Sequence, residues 1–362
     1  MKILFVLHFP PPVHGSSIVG LQIKESKIVN ETFNCTYINL GTSLTIDEIG
    51  KHLFVKIFRY LSILLQLIRS VIFNRPDLCY ITISAKRNPF YKDASLALFV
   101  KLFGIKVIYH FHNKGVSLRQ DKSLDNLLYR MVFKNSDVIL LSKYLYPDIK
   151  KYVLNEHIYY CPNGIPNLEI SQIKKGGRNE VELLFLSNLI ESKGVYVLLE
   201  VCKLLQRKKL FFQCTIVGDI GDISEQQLQQ KLQKMNLIKY VKYAGKKFGK
   251  EKDEVFANSD ILIHPTLNDC FPLVLLEAMQ YSLPIVSTFE GGIPDIIEED
   301  VTGFMVPHKN VKVLADKLEL LIINPDLRIK FGTAGRKKFE REFTLEIFEN
   351  RMKKILFQVI NK

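Results

Sequence analysis

The segment Ser259–Val306 reads SDILIHPTLNDCFPLVLLEAMQYSLPIVSTFEGGIPDIIEEDVTGFMV. It contains two short apolar runs, Ile261–His264 and Ile285–Ser287, separated by a longer stretch. Apolar runs of this length, joined by a helical crossover, are typical of neighbouring strands in a parallel sheet covered on both faces. The segment therefore predicts a βαβ unit.

The same alternation runs through the whole chain and restarts after a polar Gly/Lys stretch at 167–178. We therefore expect an α/β protein with two doubly wound, Rossmann-like domains at 1–170 and 171–344. Residues 345–362, apolar at helical spacing, predict a terminal helix. The predicted strands are Lys2–Leu7, Cys35–Asn39, Leu78–Ile83, Val107–Phe111, Val138–Leu141, Leu183–Leu186, Cys214–Val217, Tyr240–Tyr243, Ile261–His264 and Ile285–Ser287.

Length and composition narrow the class of protein. The chain has 362 residues, 24% of them charged, which suits two globular domains and excludes disorder and collagen-like repeats. The net charge is +13, and +9 of it lies in residues 1–170, so the first domain is expected to face an anionic partner. No basic platform interleaved with aromatic residues accompanies this charge, so we do not expect nucleic-acid binding.

The cysteines and the amino-terminal run indicate a cytoplasmic protein. The six cysteines lack CxxC spacing and mostly lie in apolar runs, which predicts buried thiols and no zinc site. The apolar run at Lys2–Leu7 is short, is followed by three prolines and lacks a cleavage site, so it predicts a strand and not a signal peptide. No run reaches the ~18 uncharged apolar residues that span a bilayer.

Neither predicted domain begins with G-x-G-x-x-G after its first strand, and no P-loop pattern occurs. This weakens a dinucleotide oxidoreductase hypothesis. Two doubly wound domains still bind ligands at the carboxyl ends of their strands, and we expect the ligand in the cleft between them.

The segment quoted above resembles the carboxyl-domain signature of glycosyltransferase family 4, a family of retaining enzymes with the GT-B fold. Weaker matches are Pro162–Ile165 and Ser192–Gly194. The resemblance implies two facing Rossmann-like domains, a terminal helix that crosses back onto the first, and a role in building bacterial surface polysaccharides such as capsule or lipopolysaccharide. The residues that carry it are Asp269, Glu277, Ala278, Met279, Pro284–Val286 and Glu290-Gly291-Gly292.

The resemblance also implies roles in binding a nucleotide-sugar donor. Glu277, placed at a helix start, would accept hydrogen bonds from the ribose hydroxyls, and Asp269, where the family usually has Glu, would contact the donor sugar. The segment Phe271-Pro272-Leu273 would present backbone N–H groups there. The alternatives are a helix-capping Glu277 and a solvated Asp269.

The leaving diphosphate needs positive charge and N–H donors. By resemblance Lys193 supplies that charge, whereas Asn188 stands where the family has an arginine, and Lys246 or Lys247 could compensate. Gly291 and Gly292 would let the backbone approach the donor, or would simply form a tight turn.

In the first domain, Gly15 and Ser16 follow the first strand where the family often has Gly-Gly, and we expect a flexible loop that closes over phosphate or acceptor. His112 matches the family's active-site histidine beside the donor sugar. His110, two residues earlier on the same strand face, is expected in the core, and His14 is the weaker candidate.

Together these matches imply a retaining transfer, without metal or other cofactor, from a UDP-sugar to an oligosaccharide or an undecaprenyl-diphosphate-linked acceptor. Two alternatives stay open: a nucleotide-sugar 2-epimerase of the same fold, and a catalytically weak sugar-nucleotide-binding partner in polysaccharide assembly. The motif from Asp269 to Glu277, together with Glu290-Gly291-Gly292, argues against the epimerase.

Residues 51–73, KHLFVKIFRYLSILLQLIRSVIF, predict a helix that is apolar apart from one narrow polar stripe. No acidic residue occurs between Glu48 and Asp77. One hypothesis is an interfacial helix on an anionic membrane, which would place the protein on the inner face of the plasma membrane. The other is a crossover helix buried against the sheet.

Overall fold

The computed structural model describes residues 1–41, 53–169 and 180–362. They form two compact units, which we name unit 1 (Met1–Asn163 with Leu345–Lys362) and unit 2 (Gly164–Thr344). The division after Asn163 comes earlier than the predicted one after residue 170. Most of the predicted linker, and Lys51 and His52 of the predicted basic helix, lie outside the described residues.

Unit 1 is built on six parallel strands in the order β2-β1-β3-β4-β5-β6. The order reverses at β1, so the loops after β1 and β3 border the crevice where sheets of this kind bind ligands. The strands are β1 (Lys2–Leu7), β2 (Asn34–Asn39), β3 (Leu78–Ile83), β4 (Lys106–Phe111), β5 (Asp137–Leu140) and β6 (Ile158–Tyr160).

Side chains cap the first two helices of unit 1. His14 Nδ1 accepts a hydrogen bond from the Ser17 N–H at 3.2 Å, and Ser26 Oγ accepts one from Val29 at 3.2 Å. None of the helices in the described ranges is long and apolar enough to cross a membrane. The helices are α1 (Gly15–Glu25), α2 (Lys27–Thr32), α3 (Leu53–Arg69, continued by a π-helical turn at Ser70–Asn74), α4 (Arg87–Leu102) and α5 (Ser123–Phe133).

Unit 2 contains a second sheet of six parallel strands, in the order β12-β11-β10-β7-β8-β9. Here the order reverses between β7 and β10, so the loops after these two strands lie side by side at the carboxyl edge. The strands are β7 (Val181–Leu186), β8 (Phe212–Val217), β9 (Val241–Tyr243), β10 (Ile261–His264), β11 (Ile285–Thr288) and β12 (Gly303–Val306).

Helices cover the sheet of unit 2, and its core is formed by fully buried strand residues such as Phe185 and Cys214 packed with Leu198 and Leu318 from the helices. The helices are α6 (Val195–Arg207), α7 (Glu225–Lys234), α8 (Gly249–Ala257), α9 (Leu273–Gln280), α10 (Ile293–Ile296), α11 (Val311–Ile323) and α12 (Pro325–Glu342).

The last helix, α13 (Leu345–Asn361), belongs to unit 1. Its buried side chains, including Phe348, Met352 and Leu356, join the core formed by β1 and β3. Lys106 Nζ donates a hydrogen bond to the Val359 carbonyl at 3.0 Å, which ties α13 to β4. The chain therefore returns to the unit in which it began, as the resemblance implied.

The ten strands predicted from apolar runs are all present, with ends within two residues of the predicted ones. The prediction missed β6 and β12, which are short edge strands; the residues of β6 are half-buried or exposed, so no continuous apolar run marks it. The cysteines are free thiols, buried except for the half-buried Cys35, as expected.

Candidate active site

The loops after β7 and β10 bring Lys193 and Asp269 together in unit 2. Lys193 Nζ lies 2.6 Å from Asp269 Oδ2, although 76 residues separate them in sequence. A backbone hydrogen bond from Leu267 N–H to the Ser192 carbonyl, 2.8 Å long, joins the two loops. The cation and the carboxylate that the sequence singled out for phosphate and sugar therefore form one ion pair.

Gly194 makes this approach possible. Its φ is +88°, and a Cβ there would lie 2.0 Å from the Pro265 carbonyl oxygen. Any other residue would both strain the backbone and push the loop after β10 away from Lys193. The Lys-Gly pair of the sequence thus combines a cation with the one residue that lets it reach Asp269.

Two further groups contact Asp269. His264, the last residue of β10, places Nε2 3.3 Å from Oδ2, and Glu290 Oε1 accepts a hydrogen bond from the Asp269 N–H at 3.1 Å. Burial alone would raise the pKa of Asp269, but the hydrogen bond with His264 and the charge of Lys193 prevail and lower it to about 2. Asp269 is therefore a carboxylate throughout the physiological pH range.

The Glu290-Gly291-Gly292 turn packs against this loop. Gly291 has a φ of +51°, and a Cβ on it would lie 2.3 Å from the Asp269 carbonyl oxygen. The Gly292 N–H donates to the Cys270 carbonyl at 2.6 Å. These glycines therefore form the tight turn that the sequence allowed. That they contact the donor stays a prediction.

Helix α9 begins directly after the Asp269 loop. Phe271 is buried against Phe343, with ring centroids 6.0 Å apart, and Pro272 occupies the position before the first helical residue, Leu273. No side chain caps this end of α9. That the first N–H groups of this helix contact the donor stays a prediction.

Glu277 does not lie at a helix start, as the sequence analysis expected; it lies in the second turn of α9, which begins at Leu273. It therefore caps no helix. Lys252 on α8 contacts it, with Nζ 2.6 Å from Oε1. Burial raises the pKa of Glu277, and the charge and hydrogen bond of Lys252 oppose that rise.

The side chain of Asn188 joins the loops after β7 and β8 in unit 2. Its Oδ1 accepts a hydrogen bond from the Asp219 N–H at 3.1 Å. Asp219 in turn contacts Lys246 at 2.6 Å, and this contact lowers the pKa of the carboxyl. Lys247 lies 3.1 Å from Glu251. Lys246 and Lys247, the two lysines considered as substitutes for the family's arginine, are therefore each paired with a carboxylate.

His112 follows β4 at the carboxyl edge of unit 1. Its ring lies against that of His110, with centroids 4.2 Å apart and the planes tilted by 44°, and His110 is fully buried and hydrogen-bonded to the Tyr80 hydroxyl, as expected of a core histidine. Burial, helped by the charge of His14, lowers the pKa of His112 to about 3. Near neutral pH it is therefore an uncharged imidazole.

Gly15 and Ser16 are not in a flexible loop, contrary to the prediction, because they form the first turn of α1. A capping box holds this turn: Ser17 Oγ accepts a hydrogen bond from the His14 N–H at 3.0 Å, and His14 Nδ1 accepts one from the Ser17 N–H. Since Nδ1 accepts, the neutral His14 ring carries its proton on Nε2. The first turn of α1 is thus a fixed N–H donor site.

Sequence reasoning missed four residues at these edges: His8, Lys252, His264 and Glu290 as a side chain that holds Asp269. His8 and His264 could have been found, because each closes or follows a predicted strand at the carboxyl edge. Lys252 carries no local signal. In the described ranges, no group of three or more His, Cys, Asp or Glu side chains is arranged to hold a metal ion.

Comparison with solved structures identifies the class of fold as GT-B. Sucrose-phosphate synthase from Thermosynechococcus elongatus has a TM-score of 0.79 at 16% identity, covering 99% of each chain. HepE from Anabaena, solved with UDP and glucose, has a TM-score of 0.74 at 16% identity, covering 98% of this chain and 99% of that one. At these identities the likeness establishes the fold.

Comparison of sequences points to glycosyltransferases. Residues 167–338, which include Asn188, Lys193, Asp269 and Glu277, match the family model of glycosyl transferases group 1. WcaL of Escherichia coli, provisionally named as a colanic acid biosynthesis glycosyltransferase, is 25% identical over 261 residues, which are 69% of this chain. The matched region spans 64% of the length of WcaL.

Proposed function

We propose that this protein is a glycosyltransferase that moves a sugar from a nucleotide-sugar donor to an oligosaccharide during the synthesis of a bacterial surface polysaccharide. The observation that carries the proposal is the Lys193–Asp269 contact of 2.6 Å at the carboxyl edge of unit 2, beside the start of α9. This edge lies within the region that matches the group 1 family model. The resemblance to family 4 supports a retaining reaction, and the UDP bound to HepE supports a UDP-sugar.

The residues divide the donor between them. Lys193 and the first N–H groups of α9 would bind the diphosphate, Asp269 the sugar hydroxyls and Glu277 the ribose hydroxyls. During transfer the bond between the anomeric carbon and the diphosphate oxygen breaks, and the acceptor oxygen bonds to that carbon. The leaving phosphate takes the acceptor's proton. Lys193 would stabilise the negative charge that grows on the phosphate, so the reaction is proposed to need no metal.

In unit 1, His112 is proposed to contact the donor sugar near the reacting carbon. Its low pKa, about 3, leaves it neutral at the pH of the reaction. A neutral imidazole can donate one hydrogen bond and accept another without adding charge beside an oxocarbenium-like centre.

A direct test is to incubate the protein with a panel of UDP-sugars and oligosaccharide acceptors, with and without EDTA. Transfer with retained anomeric configuration that persists in EDTA, and that disappears in Glu277→Ala, would support the proposal. Glu254→Ala, an exposed glutamate on α8, is the matched control and should keep its activity. Loss of turnover in EDTA, restored by divalent metal, contradicts the metal-free part.

Product analysis in the same assay distinguishes the alternatives. Epimerised nucleotide-sugar formed without acceptor would identify an epimerase. No turnover with any donor would leave a sugar-nucleotide-binding partner and reject the transferase.

We further propose that helix α3 rests on an anionic membrane that carries the acceptor. One side of α3 is buried through Ile63 and Leu67, and a 2.7 Å hydrogen bond between the Tyr60 and Ser95 hydroxyls attaches it to α4. The opposite side exposes large apolar residues next to a base. This basic-apolar face consists of Phe54, Phe58, Leu65 and Phe73, which are 65–79% exposed, with the exposed Arg69, whereas Lys56 and Arg59 are half-buried and lie on the Ile63 side of the helix.

Exposed aromatic rings beside basic side chains fit the interface of an anionic bilayer, where the rings insert and the bases meet lipid headgroups. Flotation with phosphatidylglycerol vesicles should recover the wild-type protein and lose the double variant Phe54→Ser/Phe58→Ser. Phe211→Ser is the control, because Phe211 lies in unit 2 and is as exposed as Phe58, at 73%. Absence of binding to vesicles of any composition rejects the membrane proposal.

A further inference from the structure

Helices α8 and α9 meet through two contacts that are one helical turn apart. Phe256 on α8 stacks on Tyr281 at the end of α9, with ring centroids 5.2 Å apart and an interplanar angle of 12°. Four residues earlier on each helix, Lys252 Nζ lies 2.6 Å from Glu277 Oε1. Residues four apart share a helix face, so the two contacts form parallel rungs between the helices.

The two rungs differ in burial and in their contribution to packing. Phe256 is 1% exposed, so the aromatic rung supplies the buried packing that fixes the spacing of the helices. The ion-pair rung is about one-quarter exposed on each partner, 26% for Lys252 and 23% for Glu277. A pair of this kind contributes little to stability, yet it is within reach of a ligand. Lys252 Nζ also lies 5.9 Å from the centroid of the Phe256 ring, but a partly exposed cation–π contact is weak, so packing gives little reason for a lysine at position 252.

The electrostatics of Glu277 supply that reason. Burial raises the pKa of the Glu277 carboxyl, Lys252 lowers it and Asp253, also on α8, raises it further. Tyr281 also interacts electrostatically with this carboxyl. A protonated carboxyl would lose acceptor capacity, whereas a carboxylate accepts hydrogen bonds from two hydroxyls at once. Without Lys252, nothing among these neighbours favours the carboxylate.

The geometry also leaves room for a ligand. Lys252 contacts Oε1, and Oε2 accepts no hydrogen bond from any residue in the ranges that the structure describes. A carboxylate anchored through one oxygen, with the second free, is held at a defined angle while it can still accept a hydroxyl.

We propose that Lys252 is a positioning residue of the donor site, which keeps Glu277 ionised and oriented to accept the ribose hydroxyls of the nucleotide. The proposal rests on the ribose-binding role proposed for Glu277 and extends it to a residue on a different helix. Lys252 acts through Glu277 and stabilises the bound diol, not the phosphate.

The test compares two ligands that differ only in the diol: UDP and 2′,3′-dideoxy-UDP. Their dissociation constants are measured by calorimetry on the full chain between pH 5.5 and 8.5. The ratio of the two constants isolates the diol, because the titration of the phosphates is common to both ligands. The proteins are wild type, Lys252→Met, Lys252→Arg and, as the matched control, Lys250→Met, which removes an exposed lysine from the same helix.

In wild type the diol is expected to strengthen binding, and the ratio of the two dissociation constants should vary less across this pH range than in Lys252→Met. In Lys252→Met the diol advantage should fall about tenfold at pH 5.5, the size of one charge-assisted hydrogen bond, and recover as the pH rises. Removing Lys252 raises the pKa of Glu277, so the carboxylate needed for binding forms only at higher pH. Lys252→Arg should restore most of the advantage, and Lys250→Met should match wild type.

Two outcomes would overturn the proposal alone: a Lys252→Met variant with the wild-type ratio and pH profile, or an equal loss of affinity for both ligands. A third outcome, in which Glu277→Gln leaves the ratio unchanged, would instead reject the ribose role of Glu277 and with it the proposed function of this residue. Thermal unfolding checks that each variant is folded. If Lys252→Met is not, Lys252→Gln removes the charge while keeping a donor, and the same pH shift is expected.

Discussion

The carboxyl edges of the two sheets carry opposite kinds of titratable chemistry. In unit 2, Asp269 and Glu277 each contact a lysine, Lys193 and Lys252, at 2.6 Å. In unit 1, the edge carries His8 and His112, and burial lowers the pKa of both, in the case of His112 to about 3. One edge holds fixed charges and the other holds neutral rings.

This difference matches the two ligands of the proposed reaction, the donor and the acceptor. Parallel strands end at the same edge in both units, so both edges gather side chains from distant parts of the chain. Fixed lysine–carboxylate pairs suit an anionic donor that is rich in hydroxyls. Neutral imidazoles offer hydrogen bonds without charge, which suits the sugar and the attacking hydroxyl. The pairs in unit 2 should therefore matter most for turnover, and the imidazoles of unit 1 for pH dependence.

The largest effect is expected from breaking the Lys193–Asp269 pair. In Lys193→Met, turnover should fall about 100- to 1,000-fold, as when one preorganised donor to a developing anion is removed. Steady-state kinetics with the best UDP-sugar measure this loss. Lys246→Met is the control, because Lys246 pairs with Asp219 on an exposed loop, and its turnover should change by less than about threefold. Equal losses in the two variants would remove Lys193 from its proposed role.

The next effect tests how the unit 2 edge is assembled. Gly194→Ala should lower the free energy of unfolding by about 3 kcal/mol, since the added Cβ meets the Pro265 carbonyl in addition to the positive-φ strain. Gly245→Ala isolates the strain, because Gly245 has a φ of +69° with no atom within 4 Å, and should cost about 1 kcal/mol. Urea unfolding gives both values. The interpretation fails if the two costs are the same.

The smallest effect concerns stability in acid. His112 of unit 1 and Asp269 of unit 2 should affect the free energy of unfolding in different pH ranges. The folded-state pKa of His112 is about 3, below its ordinary 6.5, so the unfolded chain takes up a proton first as the pH falls. His112 therefore lowers the free energy of unfolding progressively as the pH falls from 6.5 to 3. Asp269, with a folded-state pKa of about 2 against an ordinary 3.8, contributes stability above pH 3.8 that is lost as the pH falls toward 2.

Urea unfolding of His112→Asn at several pH values checks this separation. Relative to wild type, the variant should keep about 2 kcal/mol more of its neutral-pH stability at pH 5, because an amide takes up no proton. Asp269→Asn should alter the pH slope only below about pH 4. A wild-type slope in His112→Asn between pH 6.5 and 5 would contradict the neutral state assigned to His112.

Much of the fold was predictable from local pattern. The apolar runs located ten strands because each is a continuous buried segment, whereas β6 and β12 lie at sheet edges and escaped detection. The positions of Lys193, Asp269 and His112 after strand ends were predictable because motif and strand end coincide there, and their roles stay predictions. The prediction erred at Gly15 and Ser16, where the His14–Ser17 capping box turns an expected loop into helix.

The sequence by itself determined which residues stand at the ends of strands, because burial of apolar runs and the period of the crossovers are local properties. Only the tertiary structure decided which charges meet. Lys193 reaches Asp269 because the strand order reverses between β7 and β10, and Lys252 reaches Glu277 because Phe256 stacks on Tyr281. Such contacts depend on how helices and loops from distant parts of the chain pack together, and periodicity along the sequence carries no record of that packing.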